Sequence, residues 1–251
     1  MKKYLKIMLV LMGIAAAAGI NWALFSGVVL GVPDEVKIAL QSNDKVSVEN
    51  WEDKESYVFS PAAGDTAIGL ILYPEGNLDV RLYAPLAQMI AEEGYQVTFL
   101  ARRFEREYDF AVEAKRINEV ISAYPNIENW VVGGTTWSSV LPVDFALKNT
   151  DKLDAVILLA ARLDEATSLA KINLPVLYIY GTLDDENEDL LNWQKPYLPA
   201  HTVYGVIDGG NRLQYGYTGP MARDVGAEIS VAEQQGAAAD HIIAFLQSLE
   251  D

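Results

Sequence analysis

Beyond residue 33 the chain alternates short apolar runs with amphipathic segments. Ile68-Gly-Leu-Ile-Leu72, Val156-Ile-Leu-Leu159 and Val176-Leu-Tyr-Ile-Tyr180 are apolar at nearly every position. Runs of this length fit strands covered on both faces, as in a parallel sheet. Seven strands are predicted: Ser56–Phe59, Ala67–Tyr73, Tyr95–Leu100, Trp130–Val132, Ala155–Leu159, Pro175–Tyr180 and Thr202–Val206. Helical periodicity falls between them, near Tyr83–Glu93, Ala111–Ala123, Ser139–Lys148 and Glu186–Trp193. Gly94 stands just past the first of these helices, where a left-handed residue ends a helix. The last helix opens on a capping box, Ser230-Val-Ala-Glu233, and runs to about Leu249. Such alternation predicts a three-layer α/β domain with a mostly parallel central sheet and right-handed crossovers. Ligands in these sheets bind beyond the carboxyl ends of the strands, so chemistry is sought there.

The first 32 residues follow a different pattern. Lys2, Lys3 and Lys6 precede an uncharged stretch from Ile7 to Val32. Its length exceeds the roughly 20 residues that cross a bilayer core as a helix. Cleavage as a signal peptide at Ala15–Ala18 would leave an apolar tail with Trp22, Leu24 and Phe25 on the product. An uncleaved signal anchor over residues 1–32 is therefore expected. The lysines place its start in the cytoplasm and a domain over residues 33–251 outside.

Charge and composition narrow the function classes. Thirty-five Asp and Glu against nineteen Lys and Arg give a net charge of −16. An acidic chain lacks the basic face that nucleic acid requires. With no cysteine and only His201 and His241, thiolate metal sites, disulfides and multi-histidine metal sites are not expected. No cofactor fingerprint appears, since Gly133-Gly134 alone is too little for a nucleotide loop. An oligomeric state has no signal in the sequence.

Three strand-end loops carry the candidate chemistry. After Trp130–Val132 comes Gly133-Gly-Thr-Thr-Trp-Ser-Ser139, which runs straight into a helix. Strand, tight turn and helix make the setting of a nucleophile elbow, G-x-S-x-G, here in the register Gly134-Thr135-Thr136-Trp137-Ser138. Asp184 follows the strand Pro175–Tyr180, and Asp208-Gly-Gly-Asn211-Arg212 follows Thr202–Val206. The order nucleophile, acid, base is that of α/β-hydrolases.

From about Leu40 to Leu249 the chain resembles the bacterial α/β-hydrolase-fold group known as α/β-hydrolase family 5. The resemblance rests on Leu72-Tyr-Pro-Glu-Gly76 with Asp79 and Tyr83-Ala-Pro85, on Trp130-Val-Val-Gly-Gly134, and on Leu174-Pro-Val-Leu-Tyr-Ile-Tyr-Gly181. It extends to Gly209-Gly-Asn211 with Gln214-Tyr-Gly216, and to Ile229-Ser-Val-Ala-Glu-Gln-Gln235. The resemblance implies a three-layer α/β-hydrolase fold and a Ser-Asp-His triad. Here Thr136 stands at the serine position, Ser138 at the elbow's closing glycine and Arg212 at the histidine. Glu75 replaces the first glycine of the oxyanion loop, beside Gly76, and Trp137 follows the elbow residue as its second backbone donor. Of the triad, only the acid position, Asp184, keeps its residue type.

These replacements bear on chemistry. A β-branched residue fits the strained elbow poorly. Arginine cannot accept a proton near neutrality, and a hydroxyl without a base stays unactivated. Glu75 puts a carboxylate where negative charge should develop. His201, at the far end of its strand, and His241, in the last helix, are poorly placed to serve as a base. Ser138 and Ser139 read as residues that satisfy backbone donors, with displaced nucleophile as the other reading. Asp184 and Arg212 are expected to form an ion pair across the old site.

Asp184–Asp189 reads as a solvated helix start rather than a calcium loop, for it lacks the spacing and the glycine. Arg102 and Arg103, with Arg106, belong either to a solvated loop or to a lip for a carboxylate or phosphate, near Tyr215 and Tyr217. The leading expectation is a membrane-anchored extracytoplasmic domain, a degenerate serine hydrolase that binds or scaffolds, with a small ester or anionic ligand. Its rival is an active carboxylic-ester hydrolase using Thr136 or Ser138 with Asp184. A purely structural envelope protein is the third class.

Overall fold

The described residues form eight strands: β1 (Val46–Asn50), β2 (Tyr57–Pro61), β3 (Ile68–Tyr73), β4 (Gln96–Phe99), β5 (Asn129–Thr135), β6 (Ala155–Leu159), β7 (Val176–Gly181) and β8 (Val203–Ile207). The structure is a computed structural model describing residues 31–51, 55–64, 66–76, 78–101, 109–184, 190–219 and 225–250. The strands join in one sheet of order β1-β2-β4-β3-β5-β6-β7-β8. β2 pairs antiparallel with β1 and β4, and the six strands from β4 to β8 run parallel.

The helices are α1 (Asp34–Ala39), α2 (Ala84–Glu92), α3 (Phe110–Ala123), α4 (Val140–Lys148), α5 (Leu190–Gln194) and α6 (Val231–Gln247). Every residue of β3 is buried, because both faces of the sheet are covered. Leu70 and Leu72 join a core with Leu86 and Ile90 of α2 and Ile242 and Leu246 of α6. Ile71 and Tyr73 face the other way, toward Ile117 of α3 and Leu141 and Phe145 of α4. The period-2 alternation of a strand produces this division into three layers.

Within the described residues the predicted strands and helices are present, β6 with the predicted ends and the others with shifted ones. Gly94 has φ +100° after α2, and the capping box at Ser230 and Glu233 is formed in both directions. Two elements lacked a readable signal. β1 is an edge strand with one buried residue in five, and α1 buries only Val36 and Ala39. Residues 1–30 of the expected anchor, Arg102, Arg103 and Arg106, and Asp185–Asp189 lie outside the described residues. Among those described, no helix is long and apolar enough to cross a membrane.

Candidate active site

The carboxyl ends of β5, β7 and β8 carry the three positions expected to correspond to a triad, Thr136, Asp184 and Arg212. Thr136 follows β5 with φ +44°, a left-handed conformation, and is fully buried. The elbow's strained backbone is thus retained under a β-branched side chain. Two glycines explain how the turn fits. A Cβ on Gly133 would lie 2.2 Å from the Ile157 carbonyl oxygen, and one on Gly134 would lie 3.0 Å from Ser139 Cα. The turn is a 3₁₀ segment, Thr136–Ser139, leading directly into α4.

Hydroxyl groups crowd this turn. The side-chain oxygens of Thr135, Thr136 and Ser139 are buried without a hydrogen-bond partner among the described residues. A nucleophile needs a base within about 2.6–3.2 Å, and among the described residues the Thr136 hydroxyl has no such contact. Ser138 behaves differently: its Oγ accepts the Gly76 N–H across the site at 2.8 Å. Ser138 therefore satisfies a backbone donor, as expected, but on the facing loop rather than on its own helix.

The loop expected to serve as the oxyanion loop follows β3. Gly76 has φ +53° with open space around it, and Glu75 is half-buried. The Glu75 N–H donates to the Tyr83 hydroxyl at 3.2 Å. Burial, with the Glu75 carboxylate nearby, raises the Tyr83 phenol well above its usual range, so it stays protonated.

Asp184 and Arg212 come from loops that are joined backbone to backbone. The Leu183 N–H donates to the Gly210 carbonyl at 2.9 Å and the Thr182 N–H to that of Ile207 at 3.0 Å. A Cβ on Gly181 would lie 2.2 Å from the Gly210 oxygen. Asp184 is buried and Arg212 half-buried. Beside Asp184 lie Tyr178 and Tyr215, whose phenols are raised first by burial and then by that carboxylate. The Tyr178 hydroxyl donates to the Ala161 carbonyl at 2.8 Å. Tyr215, expected beside a ligand lip, is fully enclosed in the core.

The Gly-Gly-Asn and Glu-Gln-Gln segments have a shared purpose. Gln234 of α6 accepts the Asn211 N–H at 2.9 Å and donates back to the Asn211 carbonyl. The Asn211 side chain takes the N–H groups of Leu213 and Gln214 at 3.2 and 3.1 Å, while Gln235 donates to the Tyr215 carbonyl at 3.0 Å. α6 thereby fixes the path of the loop carrying Arg212.

Sequence reasoning did not single out Arg162. Its N–H points at the Thr136 carbonyl at 3.5 Å, and its guanidinium lies 5.6 Å from the centre of the Trp137 ring. Trp137 is about half exposed, at 53%. The turn that delivers Arg162 contains Ala160 at φ +48°, which with Thr136 makes the two non-glycine residues of positive φ among those described. Arg162 follows the end of β6, between the strands bearing Thr136 and Asp184. That placement was a signal available in the sequence.

The two histidines stand away from the site. His201 contacts the Leu174 carbonyl at 3.0 Å, before β7, and the His241 ring packs on Gly205. Clefts of about 510 Å³, lined by Leu147, Thr150 and Lys171, and about 730 Å³, lined by Thr66, Gly94 and Tyr95, open at the amino-terminal end of the sheet. No group of three His, Asp or Glu side chains among the described residues could hold a metal.

A model of the alpha/beta hydrolase family matches residues 69–236. A search of curated proteins returns no match. Among solved structures, a hyperthermophilic esterase from the archaeon Pyrobaculum calidifontis aligns at TM-score 0.61 and 14% identity, covering 86% of this chain and 89% of its own. A predicted CIB-like hydrolase from Thermoplasma acidophilum aligns at TM-score 0.59 and 14% identity, covering 81% and 98%. A membrane phospholipase A described as a bacterial virulence factor aligns at TM-score 0.58 and 14% identity over 100% of both chains.

Proposed function

Since the chain belongs to the alpha/beta hydrolase family, we propose that it is a member that has exchanged ester hydrolysis for binding, held at the outer face of a membrane by residues 1–32. The observation that carries this reading is the state of Thr136. Its hydroxyl is buried and has no hydrogen-bond partner among the described residues. The position of the base is held by Arg212, which cannot take a proton. Loss of one triad member costs on the order of 10⁴–10⁶ in turnover.

The ligand class follows from the rim. Trp137 and Arg162 offer an aromatic face beside a guanidinium, suited to a small ester or to an organic anion. The membrane attachment rests on the lysines and the uncharged stretch Ile7–Val32. Full-length protein should stay with membranes through carbonate extraction; mature protein in the medium with an N-terminus near Ala18 would refute the anchor.

Catalysis is tested directly. The wild-type chain should not react with fluorophosphonate probes, and it should hydrolyse p-nitrophenyl butyrate no faster than Thr136→Ala. The retained left-handed elbow favours a second reading, a carboxylic-ester hydrolase using Thr136 or Ser138 with Asp184. Wild-type turnover abolished by Thr136→Ala would establish Thr136 as its nucleophile.

A further inference from the structure

An amide N–H serves one strong acceptor at a time, because its hydrogen bond is directional. Both amides of the oxyanion loop already have acceptors from this chain: Glu75 donates to the Tyr83 hydroxyl and Gly76 to Ser138 Oγ. The second bond is the shorter, at 2.8 against 3.2 Å. Gly76 is half-buried and Ser138 fully buried. Its side chain exists only because serine replaces the glycine that closes the elbow. Gly76 itself imposes no barrier, since its left-handed φ faces open space.

We infer that Ser138 is a built-in occupant of the oxyanion site, its hydroxyl standing where a substrate oxygen would take the Gly76 N–H. This rests on the non-hydrolytic reading of the site and extends it. A bound ester carbonyl must displace Ser138 Oγ, which leaves that hydroxyl buried and short of a partner. Ser138 thus excludes carbonyl oxygens from the loop independently of Thr136 and Arg212. Ligand binding is directed to the rim at the exposed Trp137, beside the half-buried Arg162.

Two measurements test the inference. In hydrogen exchange by mass spectrometry on the full-length chain, Ser138→Ala, which keeps the Cβ, should speed exchange of the Gly76 amide at least tenfold. Equal exchange in wild type and Ser138→Ala would show that the contact does not protect the amide and overturn the inference. The second measurement uses a background of Glu75→Gly, Thr136→Ser and Arg212→His. Adding Ser138→Gly there should raise p-nitrophenyl butyrate turnover by about 10²–10³, the usual worth of one oxyanion donor. Equal turnover with and without Ser138→Gly, zero in both included, also overturns it. Wild-type turnover lost in Thr136→Ala would instead refute the non-hydrolytic reading, and the exchange result would still decide the Ser138 contact.

Discussion

Thr136 and Ser138 put two buried side chains into a turn that opens on a left-handed residue. A left-handed φ costs an ordinary residue roughly 1–2 kcal/mol, and a β-branched one has fewer rotamers with which to relieve it. Thr136 carries that cost at φ +44°, so the tertiary structure holds the turn. The packing of Gly133 against Ile157 and of Gly134 against Ser139 supplies the constraint. The positions of Thr136, Asp184 and Arg212 were legible in the sequence because each follows a predicted strand within a few residues. The partner of Ser138 was not legible. A contact between residues 76 and 138 depends on β3 and β5 lying side by side, which periodicity in one segment does not encode. The depth of Tyr215 was not legible for a similar reason: its loop position does not encode the docking of α6, whose Gln235 holds the Tyr215 backbone.

Among the elements, the ends of β2, β3 and β4 are joined to α3 by one buried polar network. The Tyr73 hydroxyl donates to Glu113 at 2.9 Å, and Arg116 pairs with the same carboxylate at 2.8 Å. Arg116 also donates to Ser56 Oγ at 3.2 Å, which in turn accepts the Ala101 N–H at 2.9 Å. Tyr73 ends β3, so the network fixes where the Glu75-Gly76 loop begins. The two charged side chains are 6% and 8% exposed, and breaking a buried pair strands the remaining charge. Arg116→Leu should therefore lower stability by about 3–5 kcal/mol, and adding Glu113→Leu should recover part of that loss. Urea midpoints for the single and double variants measure both, and strictly additive effects would show no coupling. The same comparison of strands explains what pattern reading found. β3, β6 and β7 are buried on both faces and announce themselves as apolar runs, while β1, at the sheet edge, has too few buried positions to stand out.

For the whole molecule, the buried phenols set a limit at high pH. Burial holds Tyr83, Tyr178 and Tyr215 above the ordinary tyrosine range. Burial and the neighbouring Glu250 push Tyr95 up to about 12. In the unfolded chain these groups ionise near about pH 10. A raised folded pKa means that the native state keeps protons the unfolded chain has already released, so stability falls as pH rises. The contribution is complete below about pH 10 and is lost through about pH 12 for Tyr95, and further still for the three more deeply buried rings. The net charge of −16 adds self-repulsion in the same direction. Urea midpoints should therefore decline only above about pH 10. Absorbance at about 295 nm, where phenolate absorbs, should show one set of tyrosines titrating smoothly and a second set ionising abruptly with loss of the near-ultraviolet circular dichroism. If all thirteen tyrosines titrated smoothly near about pH 10 with the fold intact, the enclosure of Tyr178 and Tyr215 around Asp184 would be wrong, and the site would be open to water.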